Sequence, residues 1–286
     1  MLKTNPEMPR NMLPLDVKQF QRSRHLPAKD LAFFVGYYWI VSWDLRGQEP
    51  YLCETLPQPC IHLVFEKDQS RIVGIVRGRF SYLLKNEGRI FGVSFKPGAF
   101  FPFVEAPVSA LTDNSISIFD AFGVEHAALE AAILSQADET AMIALVEQFL
   151  RARLPERDEH VVVINQIVDR IIADREITRV DNLVSRFSIS KRTLQRLFSH
   201  YVGVSPKWVI RRYRLQEAAE RLAEGEAVDW PKLALDLGYF DQAHFINDFK
   251  TIIGKTPAEY VRHMSSDPSS FLTCDVLRKV NSQLDG

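Results

Sequence analysis

Cysteine is scarce: Cys53, Cys60 and Cys274 are the only three in 286 residues. So few, and so scattered, they exclude a disulfide framework and fit a reducing compartment. No apolar run approaches the roughly 18 residues needed to cross a bilayer, so no membrane partner is expected. The opening stretch, MLKTNPEMPRNMLPLD, lacks an apolar segment and is broken by Pro6, Pro9 and Pro14. A secretory signal is therefore not expected, and a cytoplasmic location is. There is no Gly-rich phosphate loop and no G-x-S-x-G. His25, His126, His160, His200, His244 and His263 are isolated, and His62 has only Cys60 close by. Convergent metal ligands are missing, and neither a metal nor a cofactor is expected. What is present is ordinary for a globular chain, 46% hydrophobic and 25% charged. That excludes a collagen-like, fibrous or wholly disordered protein, and the length suggests about two domains.

The net charge of -1 hides an uneven distribution. Between Thr178 and Arg214 there are nine bases (Arg179, Arg186, Lys191, Arg192, Arg196, Lys207, Arg211, Arg212, Arg214) against one acid, Asp181, a net of +8. From Leu215 to Met264 five bases face nine acids, a net of -4. One basic block in a nearly neutral protein points to a local polyanion site; the competing reading is a solvated helix face.

The fold class expected is α+β. Segments such as GYYWIVSW, CIHLVFE, RIVGIVR, RFSYLLK and RIFGVSF, separated by short turns, predict an antiparallel barrel or sandwich. Several of these strands are apolar on both faces, so the sheet should be closed or covered. After Pro107 the period becomes helical, over His126–Leu134 and Glu139–Leu154. A homodimer through the helices of residues 125–154 is expected, although their stripe of Ile143, Val146 and Leu150 also suits packing within the chain. LPERDEH (154–160) reads as a linker. The domains expected are 1–155, β-rich with trailing helices; 156–264, all helical; and a tail, 265–286, in which Val276, Leu277 and Val280 suit one short helix.

The helical half repeats itself. Leu183, Val184 and Phe187 match Leu233, Ala234 and Leu237 at an offset of 50, and Ser190, Leu194, Phe198, Gly203 and Pro206 match Asp241, Phe245, Phe249, Gly254 and Pro257 at 51. Each unit reads as helix, tight turn, helix, with Ser190 and Asp241 as N-caps. In the first, Leu194, Leu197, Phe198 and Tyr201 form the inner face of the second helix. Lys191, Arg192, Gln195, Arg196 and Ser199 lie opposite. Such a helix can enter a major groove, where Arg forks onto guanine and Gln onto adenine. The corresponding positions in the second unit are Gln242, Ala243, Ile246 and Asn247, flanked by His244; the cations are gone, and Asn247 is the best base reader left. Between the units, 205–225 reads as one helix ended by Gly225. Some 18 residues at ~1.5 Å each span ~27 Å, enough to hold two recognition helices about one DNA turn apart.

ISKRTLQRLFSHYVGVSPKWVIRRYRLQEA and LGYFDQAHFINDFKTIIGKTPAEY closely resemble the DNA-binding domain of AraC/XylS-type transcription regulators, with Gly238-Tyr239, Phe249, Gly254, Thr256-Pro257 and Tyr260 as its hallmark string. The resemblance implies a double helix-turn-helix domain on double-stranded DNA. Base-reading positions fall on Arg192, Gln195 and Arg196, and on Gln242, Ala243 and Asn247. Ala243 departs from a base-reading residue. YYWIVSWDL, LPQPCIHLVFE and FGVSFKPGAFFPF resemble the β-rich sensor half of some of these regulators. This implies an effector or oligomerisation domain and, for an activator, RNA polymerase as a partner.

The DNA-binding residues expected are therefore Lys191, Arg192, Gln195, Arg196, Lys207, Arg211, Gln242, His244 and Asn247, with Lys207 and Arg211 on phosphates. A small apolar or aromatic effector is expected in the β domain, with Trp39, His62 and Glu66 as contacts. Alternation along CIHLVFE places His62, Val64 and Glu66 on one face and Leu63 and Phe65 on the other. That first face lines a pocket or meets solvent. Pro59-Cys60-Ile61-His62 also resembles the reactive-cysteine motif of methyl-accepting repair proteins, an enzymatic alternative. In a further alternative the β domain only dimerises.

Overall fold

A computed structural model describes residues 20–223 and 229–266. The helix end expected at Gly225 and the short helix expected around Val276 lie outside the described residues.

Eight strands run in order: β1 (Phe20–His25), β2 (Val35–Asp44), β3 (Tyr51–Thr55), β4 (His62–Glu66), β5 (Arg71–Val73), β6 (Phe80–Leu84), β7 (Glu87–Phe95) and β8 (Ser115–Ser117). Six form one antiparallel sheet in the order β1-β2-β7-β4-β5-β8, and β3 pairs with β6 as a separate ribbon. The barrel or sandwich expectation thus takes the form of a sheet faced by a ribbon. Three strands, β1, β3 and the short β8, lie outside the segments expected from the sequence. The helices are α1 (Phe101–Val104), α2 (Ile118–Phe122), α3 (Ala127–Leu134), α4 (Glu139–Arg151), α5 (Glu159–Ala173), α6 (Val180–Phe187), α7 (Lys191–Leu197), α8 (Pro206–Ala223), α9 (Trp230–Asp236), α10 (Gln242–Ile253) and α11 (Pro257–Ser266).

Both sheet faces are covered, which explains strands apolar on both sides. Tyr38 and Ile40 of β2, Leu63 and Phe65 of β4, and Phe91 and Val93 of β7 point toward the helices and are buried there. The α4 stripe, Met142, Val146, Phe149 and Leu150, closes over them. These residues pack within the chain, while Ile143 stays half-buried. The opposite sheet face meets the ribbon. There Phe20, Trp43, Val64 and Ile90 pack with Leu84, and Tyr51, Cys53 and Tyr82 lie against them.

The first core does not stop at the linker. It continues through Val161, Ile164, Ile167 and Ile171 of α5 into Leu183, Leu194, Phe198, Val209 and Ile210. The first helix-turn-helix unit is therefore packed on the β domain. Thr112 donates its hydroxyl to the Gly203 carbonyl at 2.6 Å, and Asn165 Nδ2 reaches the Pro97 carbonyl at 3.1 Å. Leu215, Ala218, Leu233, Phe245, Phe249 and Tyr260 belong to a second, separate cluster.

Candidate nucleic-acid interface and cavity

The first recognition helix begins where the Ser190 hydroxyl accepts the Thr193 N–H at 3.1 Å. An oxygen there satisfies one of the donors that a helix start leaves open. With that start fixed, α7 turns Leu194 and Leu197 inward, and Lys191, Arg192, Gln195 and Arg196 are all exposed. The chain continues as a π-helical turn over Phe198–Val202, where Phe198, Tyr201 and Val202 stay buried and Ser199 stays exposed. Four polar side chains thus form one outward row, able to fork onto base edges or phosphates.

In the second unit the Asp241 carboxylate accepts the His244 N–H at 2.8 Å. Phe245, Phe249 and Ile252 point inward. Ala243, His244 and Asn247 are exposed, and Gln242 is half-buried. Charge does not supply a second cationic reader here.

The basic block is smaller than the sequence count suggests. Arg186 is engaged by Asp174 at 2.7 Å. Arg211 forms an ion pair with Asp248 of α10, so a residue expected on phosphates also fastens α8 to the second unit. Arg212, 1% exposed, gives Nε to the Pro57 carbonyl at 2.7 Å and also bonds Gln216. Arg214, 2% exposed, bonds Glu217 and the Ile171 carbonyl. A charge count cannot separate such anchors from an exposed face. Lys207 is exposed, as are Arg179 and the α7 row.

Between sheet and ribbon lies a cavity of ≈ 220 Å³ whose lining includes Trp39, His62 and Glu66. Leu63 and Phe65 face the other way and are fully buried against the helices. Trp39 fits because Gly92 lies opposite it on β7; a Cβ there would meet the indole at 1.9 Å. Trp39 Nε1 donates to His62 Nδ1 at 3.3 Å. Burial, with Arg24 nearby, pushes the His62 pKa down to about 4, so the ring is neutral at ordinary pH. Glu66 accepts the Tyr82 hydroxyl and an ion pair from Arg71 at 3.4 Å. The missed strand β1 adds Phe20, Arg22 and Arg24 to this wall. Its sequence, FQRSRH, carries no apolar alternation, because the residues that alternate inward are mostly cationic.

Cys60 also lines the cavity, and burial pushes its thiol up to about 11. It is a thiol at neutral pH, the opposite of what an alkyl-accepting thiolate requires.

The cavity touches the DNA-binding half directly. Its lining residue Pro57 carries the carbonyl that Arg212 of α8 holds. Leu56, next in the lining, packs against the second unit's cluster. Gly254, at φ +88°, leaves the space that the Arg79 side chain fills.

Comparison with known proteins places these features. Residues 23–117 match a family described as a domain of unknown function (DUF6597), and residues 183–263 match a helix-turn-helix domain family. Probable transcription factor PqrA of Proteus vulgaris is 31% identical over 98 residues, covering 34% of this chain and 80% of that protein. The chain belongs to the AraC family of transcription regulators. A putative AraC-like transcription regulator of Streptomyces lividans is 31% identical over 84 residues, 29% of this chain and 27% of its own. An uncharacterized HTH-type transcriptional regulator of Haemophilus influenzae is 29% identical over 86 residues, 30% of this chain and 28% of its own. With these two, the AraC-family likeness spans less than a third of either partner. Among solved structures, a probable AraC family regulator from Rhodopseudomonas palustris is 26% identical, with 36% of this chain and 96% of that one covered and a TM-score of 0.33. ToxT from Vibrio cholerae is 12% identical, with 85% and 98% covered and a TM-score of 0.37. Among the described residues of this AraC-family chain, no helix is long and apolar enough to cross a membrane. None of its described His, Cys, Asp and Glu side chains cluster as a metal site.

Proposed function

We propose that this AraC-family protein is a sequence-specific DNA-binding transcription regulator whose β domain senses a small molecule. The observation that carries the reading is the exposed row Lys191, Arg192, Gln195 and Arg196 on a helix held from behind by a buried face. Arg192, Gln195 and Arg196 read bases, and Lys207 contacts phosphate. Gln242, His244 and Asn247 make the weaker contacts of the second unit. The sensor half ends near residue 155, and the tail begins near 265. Trp39, His62 and Glu66 contact the effector. Two copies serve paired half-sites, joined through the helices of residues 125–154, and RNA polymerase is the partner if the regulator activates.

The cavity, and its contacts with α8 and the second unit, favour sensing over a β domain that only dimerises. The raised Cys60 pKa weighs against the alkyl-acceptor reading. Selection of bound DNA from a random pool tests the proposal. A sequence consensus that Arg196→Ala relaxes at one position is expected; absence of any enriched sequence overturns it.

A further inference from the structure

Strand β1 gives the cavity a chemistry of its own. Ser23 and His25 turn toward α4, where they bond Glu139 at 2.8 and 2.7 Å. Arg22 and Arg24 turn the other way, into the cavity wall. The two cavity carboxylates are already engaged. Glu54 pairs with Arg79 at 2.8 Å, and Glu66 with Arg71 and the Tyr82 hydroxyl. Arg24 instead lies over the Tyr37 ring, its guanidinium carbon 4.2 Å from the centroid. Its Nε and Nη1 are buried without a hydrogen-bond partner among the described residues. Buried charged donors without acceptors are costly, and a guanidinium fork matches a carboxylate.

Arg22 brings a second guanidinium to the same wall one row further along, opposite Val41, which pairs with Ile90. Trp39 can only donate to His62 Nδ1, so the imidazole proton sits on Nε2, a neutral donor. Val64 shares the Trp39 row; beyond it Ile90 pairs with Glu66, whose carboxylate is already engaged, and the far end is apolar, with Phe20 opposite Trp43 and Leu84 in the same cluster. From the Trp39 row of the sheet to the Trp43 row is about 14 Å at ~3.4 Å per residue. Tyr82 of the ribbon lies edge-on to Trp43, ring centroids 6.3 Å apart, and Phe80 adds aromatic lining.

We propose that this cavity is the site of an organic carboxylate with an apolar, ring-bearing body, its carboxylate on Arg24 and its body toward Phe20, Leu84 and Ile90. The proposal rests on the reading of the β domain as a sensor and names the chemical class of its ligand.

Calorimetry of the full chain with three matched probes tests it: 4-phenylbutyrate, 4-phenylbutan-1-ol and 4-phenylbutylamine. The acid is expected to bind about tenfold tighter than the alcohol, and the amine most weakly. Arg24→Gln is expected to bring acid and alcohol within about threefold. Should that variant lack a cooperative melt, Arg24→Lys, which keeps charge and loses the fork, is expected to retain a reduced preference for the acid. Equal binding of acid and alcohol, no binding of any probe, or a preference untouched by either variant overturns the site. Operator affinity measured with the same probes separates the two claims. An alcohol that binds as well as the acid and shifts operator affinity leaves sensing intact and removes the anion site. An acid that binds through Arg24 without moving operator affinity does the reverse.

Discussion

The first helix-turn-helix unit shares its core with the β domain, whereas the second has a core of its own and reaches the β domain through Leu56, Arg79 and neighbouring contacts. Their surfaces differ in the same direction. The first presents lysine, two arginines and glutamine; the second presents alanine, histidine and asparagine, with Asp248 holding Arg211. One repeat thus yields a fixed unit with a cationic outer face and a more independent unit whose corresponding face lacks those lysine and arginine side chains. The difference teaches that the strength of a reader and its mechanical attachment were set separately: the same packing pattern, Leu194 and Phe198 against Phe245 and Phe249, underlies both.

The sharpest way to break this comparison is to damage one core. Phe245→Ala should cost the second unit about 3–5 kcal/mol. Hydrogen exchange should then show α9–α11 opening while α5–α7 remain protected with the sheet. If both units open together, their cores are not independent.

Acid offers the reverse perturbation. His62 has its pKa held near 4, against about 6.5 when unfolded. Its contribution to stability is full above about pH 6.5 and is lost as pH falls toward 4, because only the unfolded chain takes up the proton across that window. About 3 kcal/mol is at stake, and it falls on the β domain together with the first unit. Denaturant melts at pH 7.5 and 4.5 should show the loss, and His62→Gln should flatten it. An equal pH dependence in that variant refutes the assignment.

At the DNA surface the effects are smaller. Arg196→Ala should cost about 1–3 kcal/mol of operator affinity and relax one base-pair preference, while Asn247→Ala should cost visibly less. Equal losses would erase the asymmetry between the readers. Smallest is Arg211→Ala, about 1 kcal/mol, because the ion pair it breaks is partly exposed. The loss should be accompanied by greater mobility of α10, measurable by hydrogen exchange. A uniform loss of DNA affinity with α10 unchanged would return Arg211 to the phosphates.

The helical half was legible because its signals are local. Caps at Ser190 and Asp241 and apolar spacing along α7 and α10 are written within a dozen residues. In the cavity, alternation along β4 put His62 and Glu66 on one face but left it to a pocket or to solvent; the ribbon, placed by the fold, makes it a cavity wall. Arg22 and Arg24 were not, since a strand whose inward residues are cations has no apolar period to detect. The α4 stripe left its cover open for a related reason. Val146 and Leu150 show that α4 must be covered, but not by what, and the cover is the sheet of the same chain. Likewise Arg212 and Arg214 count as surface charge until their partners, the Pro57 and Ile171 carbonyls, are placed by the fold.

Leu56 belongs at once to the cavity wall and to the packing of the second unit, and Arg212 ties the adjacent Pro57 to α8. On the proposed sensing role, a ligand that shifts this short segment would change the readiness of the second unit for DNA, and the influence would run equally in both directions. By thermodynamic linkage, whatever factor the ligand puts on operator affinity, the operator puts on ligand affinity. Under the proposed role, the protein seated on its operator would then respond over a different ligand concentration range from the same protein free in solution.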